Sequence, residues 1–313
     1  MTSLRSKFWS VLIRQLVMKI GTITKPTDIR RDMSSDTIPF LNNIWKKEQY
    51  IEYTNYFIDN LEILKLNNRQ NKSNKTLLYL HGGGYVACGP DTHGALITQL
   101  SLVTNSHVEF PIYRLAPEYP FPAAIEDALK AYKNLLKKNK NSKEIFIAGD
   151  SAGGGLTLAL LQKIKLEKLA MPSCAIVISP WTDLTLSGDS IQTRGHRDPM
   201  IKPGPSMQIA VDAYCNGENP NNPLISPLFA DYTDMPPIQI QVASEETIFD
   251  DSLRLYEKIK KQNPDKVEYI EWKGLFHVFQ VFCSGWLAIP EAKKSFKFIS
   301  VSYTHLRAHE TPI

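Results

Sequence analysis

Residues 149–153 restrict the fold of this chain more than any other part of its sequence. They read Gly-Asp-Ser-Ala-Gly, which fits the pattern G-x-S-x-G, and they lie between an apolar, β-prone run at 144–148 and a helix-forming run at 156–161. In this pattern a sharp turn from a strand into a helix holds a serine hydroxyl exposed above a parallel sheet. Small flanking residues avoid collisions inside such a turn. We therefore predict Ser151 on a turn of this kind; an ordinary loop with a solvent-exposed serine is the alternative interpretation.

A second glycine-rich turn, residues 81–84 (His-Gly-Gly-Gly), follows the short apolar run 76–80. Consecutive glycines let the backbone approach a ligand closely and point its N–H groups inward. The pattern is typical of a loop that donates backbone N–H groups to an oxyanion. We predict that the N–H groups of Gly82, Gly83 and Ala152 form this oxyanion hole, and that the histidine orients the loop by hydrogen bonding. Taken alone, the segment is equally consistent with a flexible glycine loop.

A serine nucleophile needs a base, usually histidine, and the base needs a carboxylate that orients it. On a turn of this type the chain order is serine, acid and then histidine. Four histidines follow Ser151: His196, His277, His305 and His309. The first lies in a polar stretch too early in the chain, and the last two lie in a terminal segment that looks foreign to the fold. His277 follows a predicted last strand at 267–272 and is the predicted base; a structural histidine at a helix start is the alternative.

The predicted acid lies just after an alternating, strand-like run at 238–243. Glu245 and Glu246 occupy this position, and these residues alone leave both open. The remaining acidic candidates are Asp183, Asp250 and Asp251. The first follows the preceding predicted strand and is weaker, whereas the other two begin a predicted helix, where their charges suit the N-terminus.

The chain resembles the hormone-sensitive lipase family of α/β-hydrolases, which includes bacterial carboxylesterases and arylacetamide deacetylases. The matching motifs occur in the family's order over roughly residues 50–300 and read His81-Gly-Gly-Gly-Tyr85, Tyr113-Arg-Leu-Ala-Pro-Glu118, Phe121-Pro-Ala-Ala124, Gly149-Asp-Ser-Ala-Gly-Gly154, Ser179-Pro-Trp181 and Gly274-Leu-Phe-His277-Val-Phe279. In the family, the acid is usually an aspartate within a pattern like D-x-L-x-D. Here residues 246–250 occupy that pattern with glutamate in first place, so the resemblance favours Glu246 over Glu245.

The resemblance implies an α/β-hydrolase fold, and the order of apolar runs supports it. After an antiparallel pair predicted at 49–66, strand-like and helix-like runs alternate, which indicates a mostly parallel central sheet covered by helices. We predict that residues 1–313 form a single domain of this class. In the family, the Pro- and Gly-rich insertion at 181–236 forms an α-helical cap together with the N-terminal residues, here about 1–45.

Composition limits the partners and the location of the protein. The chain has 313 residues, is 43% hydrophobic and has a formal net charge of only +4, with lysines spread through Asn-rich stretches. No interleaved basic and aromatic pattern supports nucleic-acid binding, and none is expected. The four cysteines are scattered without a C-x-x-C pair, so free thiols in a reducing, cytoplasmic setting are predicted. No metal or cofactor is expected, and the sequence does not specify an oligomeric state.

The two ends of the chain carry separate expectations. Residues 8–23 are moderately apolar, but Arg14 and Lys19 interrupt them, so they are too broken to span a bilayer and make a poor signal peptide. They fit either an amphipathic cap helix, which we favour, or a helix that lies on a membrane surface. At the other end, residues 301–313 do not resemble the family, and we interpret them as a non-native tail.

These patterns predict a serine carboxylester hydrolase for small to medium acyl esters, with Ser151 as nucleophile, His277 as base and Glu246 as acid. An amide-cleaving deacetylase is an open alternative, because the sequence does not separate esters from amides. A binding protein is another: the plant gibberellin receptors are similar to this family but have lost the triad histidine. This chain retains His277, which favours catalysis.

Overall fold

The computed structural model describes residues 2–19, 23–33, 48–71, 74–138, 141–201, 204–285 and 288–308, with the backbone alone at 16–19, 32 and 301–308. A central sheet of eight strands dominates this part of the chain. The strands are β1 Ile51–Ile58, β2 Leu61–Asn68, β3 Thr76–Leu80, β4 His107–Pro111, β5 Ile145–Asp150, β6 Ala175–Ile178, β7 Ile238–Ala243 and β8 Val267–Trp272.

The strands lie in the order β1-β2-β4-β3-β5-β6-β7-β8. β1 and β2 form an antiparallel hairpin in which Ile58 pairs with Leu61, and β2 is also antiparallel to β4. Every other neighbouring pair is parallel. The prediction of a mostly parallel sheet that opens with an antiparallel pair is therefore confirmed.

Nine α-helices accompany the sheet within the described residues. They are α1 Leu4–Lys19, α2 Pro26–Asp32, α3 Pro90–Thr104, α4 Ala123–Lys137, α5 Ser151–Leu166, α6 Ser190–Arg194, α7 Pro205–Cys215, α8 Phe249–Gln262 and α9 Pro290–Ala308. Helices α3, α4, α5 and α8 each connect two strands of the sheet, as the alternating sequence pattern predicts.

Two apolar cores cover the two faces of the sheet. Because successive side chains of a strand point to opposite faces, Leu61 and Ile63 of β2 join the core that includes α4, α5 and α8, whereas Leu64 and Leu66 join the core that includes α3 and α9. Every residue of β3, β5 and β6 is buried, as expected for strands covered on both faces. This packing fixes the carboxyl ends of the parallel strands along one edge, where sites form in open α/β sheets.

The insertion between β6 and β7 holds α6, α7 and a short 3-10 turn at Pro227–Phe229. Helix α2 packs against α7, and Arg30 of α2 donates hydrogen bonds to the carbonyl groups of Val86 and Ala116, each at 2.9 Å. The N-terminal and inserted residues thus meet beside the glycine turn after β3. Their role as a cap over the substrate stays a prediction, and residues 34–45 of the predicted cap lie outside the described residues.

Helix α1 lies on the face of the sheet covered by α9. Its Trp9 ring lies 4.6 Å from the ring of Phe282, and Trp9 and Ile13 are both buried. Across the described residues, no helix combines the length and the apolar content that crossing a bilayer requires. Residues 20–22 of the predicted N-terminal helix lie outside the described residues.

The backbone of α9 continues to Ala308 and so enters the segment that we interpret from sequence as a non-native tail. Residues 309–313 of this segment lie outside the described part of the chain, and the tail stays a prediction. All four cysteines are described, and none forms a disulfide.

Candidate active site

Ser151 lies where β5 ends and α5 begins. Its φ of 51° is in the left-handed region, which non-glycine residues rarely adopt and which marks a strained turn. A Cβ on Gly149 would lie 2.2 Å from the carbonyl oxygen of Gly153, and one on Gly153 would lie 2.1 Å from that of Leu80. The strand, tight turn and helix predicted around the serine are therefore present. The serine is only 8% exposed, however, because the surrounding loops cover it, whereas the sequence pattern predicts an exposed hydroxyl.

His277 lies in the loop that follows β8 and reaches over the turn that carries Ser151. Its Nε2 is 2.9 Å from Ser151 Oγ, and its Nδ1 is 3.1 Å from Glu246 Oε2. The imidazole is 4% exposed, so both contacts are shielded from water. The structure thus brings together the three residues that the sequence predicts as nucleophile, base and acid.

Glu246 lies in the turn between β7 and α8 and is fully buried. Besides His277, it contacts two donors through Oε1: the N–H of Ala243 at 2.6 Å and the hydroxyl of Ser179 at 2.5 Å. Glu245 points elsewhere, because it accepts a hydrogen bond from Ser244 Oγ at 2.8 Å and keeps 30% of its side chain exposed. Of the two neighbouring glutamates, only Glu246 therefore contacts the histidine.

The other acidic candidates, Asp183, Asp250 and Asp251, make hydrogen bonds to residues of the insertion that follows β6, and none of the three bonds to His277. Asp183 accepts hydrogen bonds from Thr185, Ser187 and Arg254. Asp251 accepts the N–H groups of Thr182 and Asp183 at 2.7 and 2.8 Å, and Asp250 accepts that of Ser190 at 2.8 Å. Both of the latter lie in the first turn of α8, as predicted, but their carboxylates hold a neighbouring loop and do not cap their own helix.

The environment of His277 favours its charged form. Burial lowers the pKa of His277, but the hydrogen bond and charge of Glu246 raise it, and so do the charges of Asp198 and Asp150, with a net upward shift. Because Glu246 accepts only, its contact favours a proton on Nδ1 and leaves Nε2 free to accept a proton from Ser151. The arrangement can therefore remove a proton from the serine hydroxyl and stabilise the imidazolium that results.

The glycine turn after β3 departs from the predicted oxyanion hole at one residue. The N–H of Gly82 donates to Asp150 Oδ1 at 3.1 Å, so it is committed within the protein and does not point to a substrate oxygen. The prediction of Gly82 as an oxyanion donor is thus corrected. Gly83 and Gly84 donate no backbone hydrogen bond within the described residues, and Ala152, in the first turn of α5, has no intrahelical acceptor.

Asp150 ties the glycine turn to the turn that carries Ser151. Its carboxylate accepts the hydroxyl of Tyr79 at 2.7 Å as well as the N–H of Gly82, and its second oxygen lies 3.1 Å from His93 Nε2. Burial raises the pKa of Asp150, but His93 and the Tyr79 hydroxyl outweigh burial and hold it below the usual value. The carboxylate therefore stays ionised and binds one turn to the other.

His81 also acts on the glycine turn. Its Nδ1 lies 2.6 Å from the carbonyl oxygen of Gly82, and Tyr113 donates to the His81 carbonyl at 2.7 Å. Burial, and then the charge of His93, lower the pKa of His81 to about 3, so the ring is neutral near neutral pH. These contacts place His81 in the loop-orienting position that the sequence suggests.

Two residues that contact the site have no role predicted from the sequence. Ser179 donates to Glu246 and accepts the N–H of Val278 at 3.3 Å, so it joins the loops that carry the predicted acid and base. It belongs to the matched motif Ser179-Pro-Trp181, and its place at the end of β6, beside the end of β7, could have indicated the contact, because the ends of parallel strands share one edge of the sheet. His93 carries no local signal, because it contacts Asp150 only through the fold.

Comparison with known proteins supports the fold class that the sequence predicts. A family model described as an α/β-hydrolase fold matches residues 77–281. An acetyl-hydrolase of Streptomyces hygroscopicus is 38% identical over 221 residues, which are 71% of this chain and 72% of that protein. An esterase of Acinetobacter venetianus is 35% identical over 238 residues, which are 76% of this chain and 77% of that one.

The crystal structure of an esterase from the bacterial hormone-sensitive lipase family is similar to this chain with a TM-score of 0.87 and 30% identity. The similarity covers 98% of this chain and 99% of that one. This chain belongs to the hormone-sensitive lipase family of α/β-hydrolases.

Proposed function

We propose that the protein is a serine carboxylester hydrolase that uses Ser151, His277 and Glu246. The observation that carries this proposal is the continuous contact from Ser151 Oγ to His277 Nε2 at 2.9 Å and from His277 Nδ1 to Glu246 at 3.1 Å. Such an arrangement activates a hydroxyl that is otherwise a poor nucleophile near neutral pH. The esterase and acetyl-hydrolase names of its relatives agree with the same chemistry.

In the proposed reaction, Ser151 Oγ bonds to the ester carbonyl carbon while its proton passes to His277 Nε2. The carbonyl π electrons move to oxygen, and the N–H groups of Gly83, Gly84 and Ala152 stabilise that oxyanion; losing one such donor typically costs about 3–4 kcal/mol. When the bond to the alkoxy oxygen breaks, His277 returns the proton to the leaving alcohol. Water then attacks the acyl-serine by the same steps and releases the acid. These steps need no metal or cofactor, and the expectation that the protein uses neither stays a prediction.

A fluorophosphonate probe with ester hydrolysis as a second readout tests this proposal. The wild-type protein should be labelled at Ser151, whereas Ser151→Ala should lose labelling and retain no more than about a thousandth of the wild-type rate. Ser142→Ala is a matched control outside the site and should behave as wild type. Labelling without ester hydrolysis, but with amide hydrolysis, would indicate the deacetylase; the absence of labelling would favour a binding protein.

We propose further that the substrates carry short acyl groups. Helix α7 lies close to the glycine turn, since a Cβ on Gly84 would lie 3.5 Å from Ala210 Cβ. Tyr85, which directly follows that turn, also stacks on Tyr214 of α7, with ring centroids 3.7 Å apart. A helix packed this tightly beside the oxyanion donors leaves little room for a long chain. Among p-nitrophenyl esters, acetate and butyrate should be cleaved faster than palmitate; rates that rise steadily to palmitate would contradict this.

We also propose that α1 contacts an anionic lipid surface. Leu4, Phe8 and Val11 are 84%, 49% and 58% exposed, and their spacing places them on one face of the helix. The sequence before Asp28 contains five lysine or arginine residues and no acidic one. An apolar face flanked by cations is the combination that binds headgroups of anionic lipids.

Sedimentation with vesicles tests this contact. Wild-type protein should bind phosphatidylglycerol vesicles and bind phosphatidylcholine vesicles much less. The double variant Phe8→Gln/Val11→Gln should lose binding, whereas Phe57→Gln, which changes a 65% exposed phenylalanine on β1, should not. Equal binding by all three proteins, or no binding by wild type, would refute the proposal.

A further inference from the structure

Asp198 is a buried carboxylate of the insertion that the proposed reaction does not use. Only 2% of it is exposed. Its Oδ2 accepts the N–H of Thr247 at 2.9 Å, and its Oδ1 accepts the N–H of Met200 at 2.9 Å. Thr247 is the residue that directly follows Glu246. Because each carboxylate oxygen has a donor, the side chain has a fixed orientation against the turn that carries the proposed acid.

The insertion also holds the other polar groups of Thr247. The Thr247 hydroxyl donates to the carbonyl of Ile201 at 2.6 Å, and the Thr247 carbonyl accepts from Ser190 Oγ at 2.8 Å. The carbonyl of Ser244, which directly precedes Glu245, accepts a hydrogen bond from Arg194. The turn between β7 and α8 is thus held on both sides of Glu246 by residues of the insertion.

Asp198 also presents negative charge to the imidazole. Burial raises the pKa of Asp198 to about 6, while the charge of His277 lowers it and that of Glu246 raises it. Burial lowers the pKa of His277, and three carboxylates raise it: Glu246 from the turn after β7, Asp198 from the insertion and Asp150 from the end of β5. Asp198 therefore favours the imidazolium that forms when the serine is deprotonated.

We infer that Asp198 is a positioning residue of the reaction: by holding the N–H of Thr247, it fixes the turn that directs Glu246 to His277. The inference rests on the proposed triad and assigns part of the rate to the insertion. A residue that only fastened the insertion to the sheet would affect stability, but it would leave the protonation of His277 unchanged.

The variant Asp198→Asn tests the inference, because it keeps the size of the side chain but offers one acceptor oxygen to two N–H donors and removes the charge. For p-nitrophenyl acetate, kcat should fall about 10- to 100-fold, as expected when a supporting contact is lost and a catalytic group shifts by a fraction of an ångström. KM should change by less than about threefold, because substrate contacts are unaltered. The acid limb of kcat/KM should move to lower pH, because His277 loses a neighbouring negative charge.

Asp250→Asn is the matched control. Asp250 also joins the insertion to α8, through the N–H of Ser190 at 2.8 Å, but it does not hold the backbone beside Glu246. Its kcat should stay within about twofold of wild type and its acid limb should not move. Wild-type kcat and pH profile in Asp198→Asn would overturn the inference, and so would equal losses in the two variants, since these would indicate simple fastening.

If Asp198→Asn does not fold, as judged by circular dichroism, Asp198→Glu decides. It keeps the charge, but its longer side chain displaces the carboxylate from the N–H of Thr247, so kcat should fall several-fold; an unchanged kcat would overturn the inference. Fluorophosphonate labelling of wild type separates the two proposals. Unlabelled Ser151 would overturn the triad itself, whereas labelled Ser151 with wild-type kinetics in the Asp198 variant would overturn only the role of Asp198.

Discussion

Replacing Glu246 by glutamine should cripple the enzyme while replacing Glu245 by glutamine should not. In the wild type, Glu246 Oε1 accepts from Ala243 N–H and Ser179 Oγ, and Oε2 faces His277 Nδ1. A carboxamide has only one acceptor oxygen. If that oxygen replaces Oε1, the amide NH2 faces Nδ1 and forces the histidine proton onto Nε2, where it blocks proton transfer from the serine.

The reverse orientation of the amide would keep the productive tautomer, but it would leave the buried N–H of Ala243 facing an NH2 group. An unsatisfied buried donor costs about 1–3 kcal/mol, so the unproductive orientation should predominate. In another serine hydrolase the equivalent amide lowers kcat about ten-thousandfold, which corresponds to about 5 kcal/mol of barrier. We expect a loss of that order for Glu246→Gln, measured with p-nitrophenyl acetate and with a thermal melt to verify folding.

Glu245→Gln is the matched control, since Glu245 has 30% of its side chain exposed and contacts Ser244 and Arg197. Its kcat should lie within about twofold of wild type, as is usual for surface substitutions. A folded Glu246→Gln variant that retains more than about a tenth of the wild-type kcat would refute the tautomer argument. A crippled Glu245→Gln with a mild Glu246→Gln would show that the acid is displaced by one residue and leave the triad intact.

Three further predictions follow from the same geometry. Because the pKa of His277 is raised above 6.5 and only the neutral ring is a base, kcat/KM should fall as pH decreases through a limb above 6.5; a limb below that value would contradict the shift. Gly82→Ala should lower kcat more than about tenfold, because its Cβ would lie 2.3 Å from Asp150 Oδ2. The control Gly89→Ala should match wild type, because no heavy atom lies within 4 Å of the added Cβ. Equal effects of the two variants would refute the close approach of the Gly82 backbone to Asp150. Burial raises the pKa of Asp251 from 3.8 to about 7, so this group contributes stability below about pH 4 that is lost as pH rises toward 7. The difference in unfolding free energy between wild type and Asp251→Asn should therefore change across this pH range. A difference that does not depend on pH would contradict the prediction.

The sequence is sufficient for the centre of the sheet because most of its parallel strands are buried on both faces and appear as short apolar runs. For this reason the bounds predicted at 76–80 coincide with those of the fully buried strand β3. The bounds predicted at 238–243 and 267–272 also coincide with β7 and β8, although β7 alternates apolar and polar residues and β8, at the edge of the sheet, is only partly buried. Ser151 and His277 were also within reach, because the strand–turn–helix pattern marks the first and chain order leaves one suitable histidine. Glu246 was separated from Glu245 only by the register of the family pattern, since side chains of adjacent residues in a turn give no periodic signal.

Contacts between distant turns could not be predicted from the sequence. The commitment of the Gly82 N–H to Asp150 depends on how the turns after β3 and β5 meet, and the glycine pattern is the same whether that N–H is free or not. Asp198 lies in an insertion without regular periodicity, so nothing in its surroundings marks a buried residue. Its contact with Thr247 arises only when the insertion folds back onto the end of β7.

Three of the buried carboxylates affect the two charges that the proposed reaction creates, the imidazolium and the oxyanion. Glu246 and Asp198 raise the pKa of His277 and so favour the imidazolium. Asp150 adds to this effect, yet it also lies beside the glycine turn, where an unscreened negative charge would oppose the oxyanion. Its lone pairs are occupied by Tyr79, Gly82 and His93, which disperse that charge into hydrogen bonds. The same bond that commits the Gly82 N–H to Asp150 therefore lets a buried carboxylate hold the proposed oxyanion donors in place at a reduced electrostatic cost.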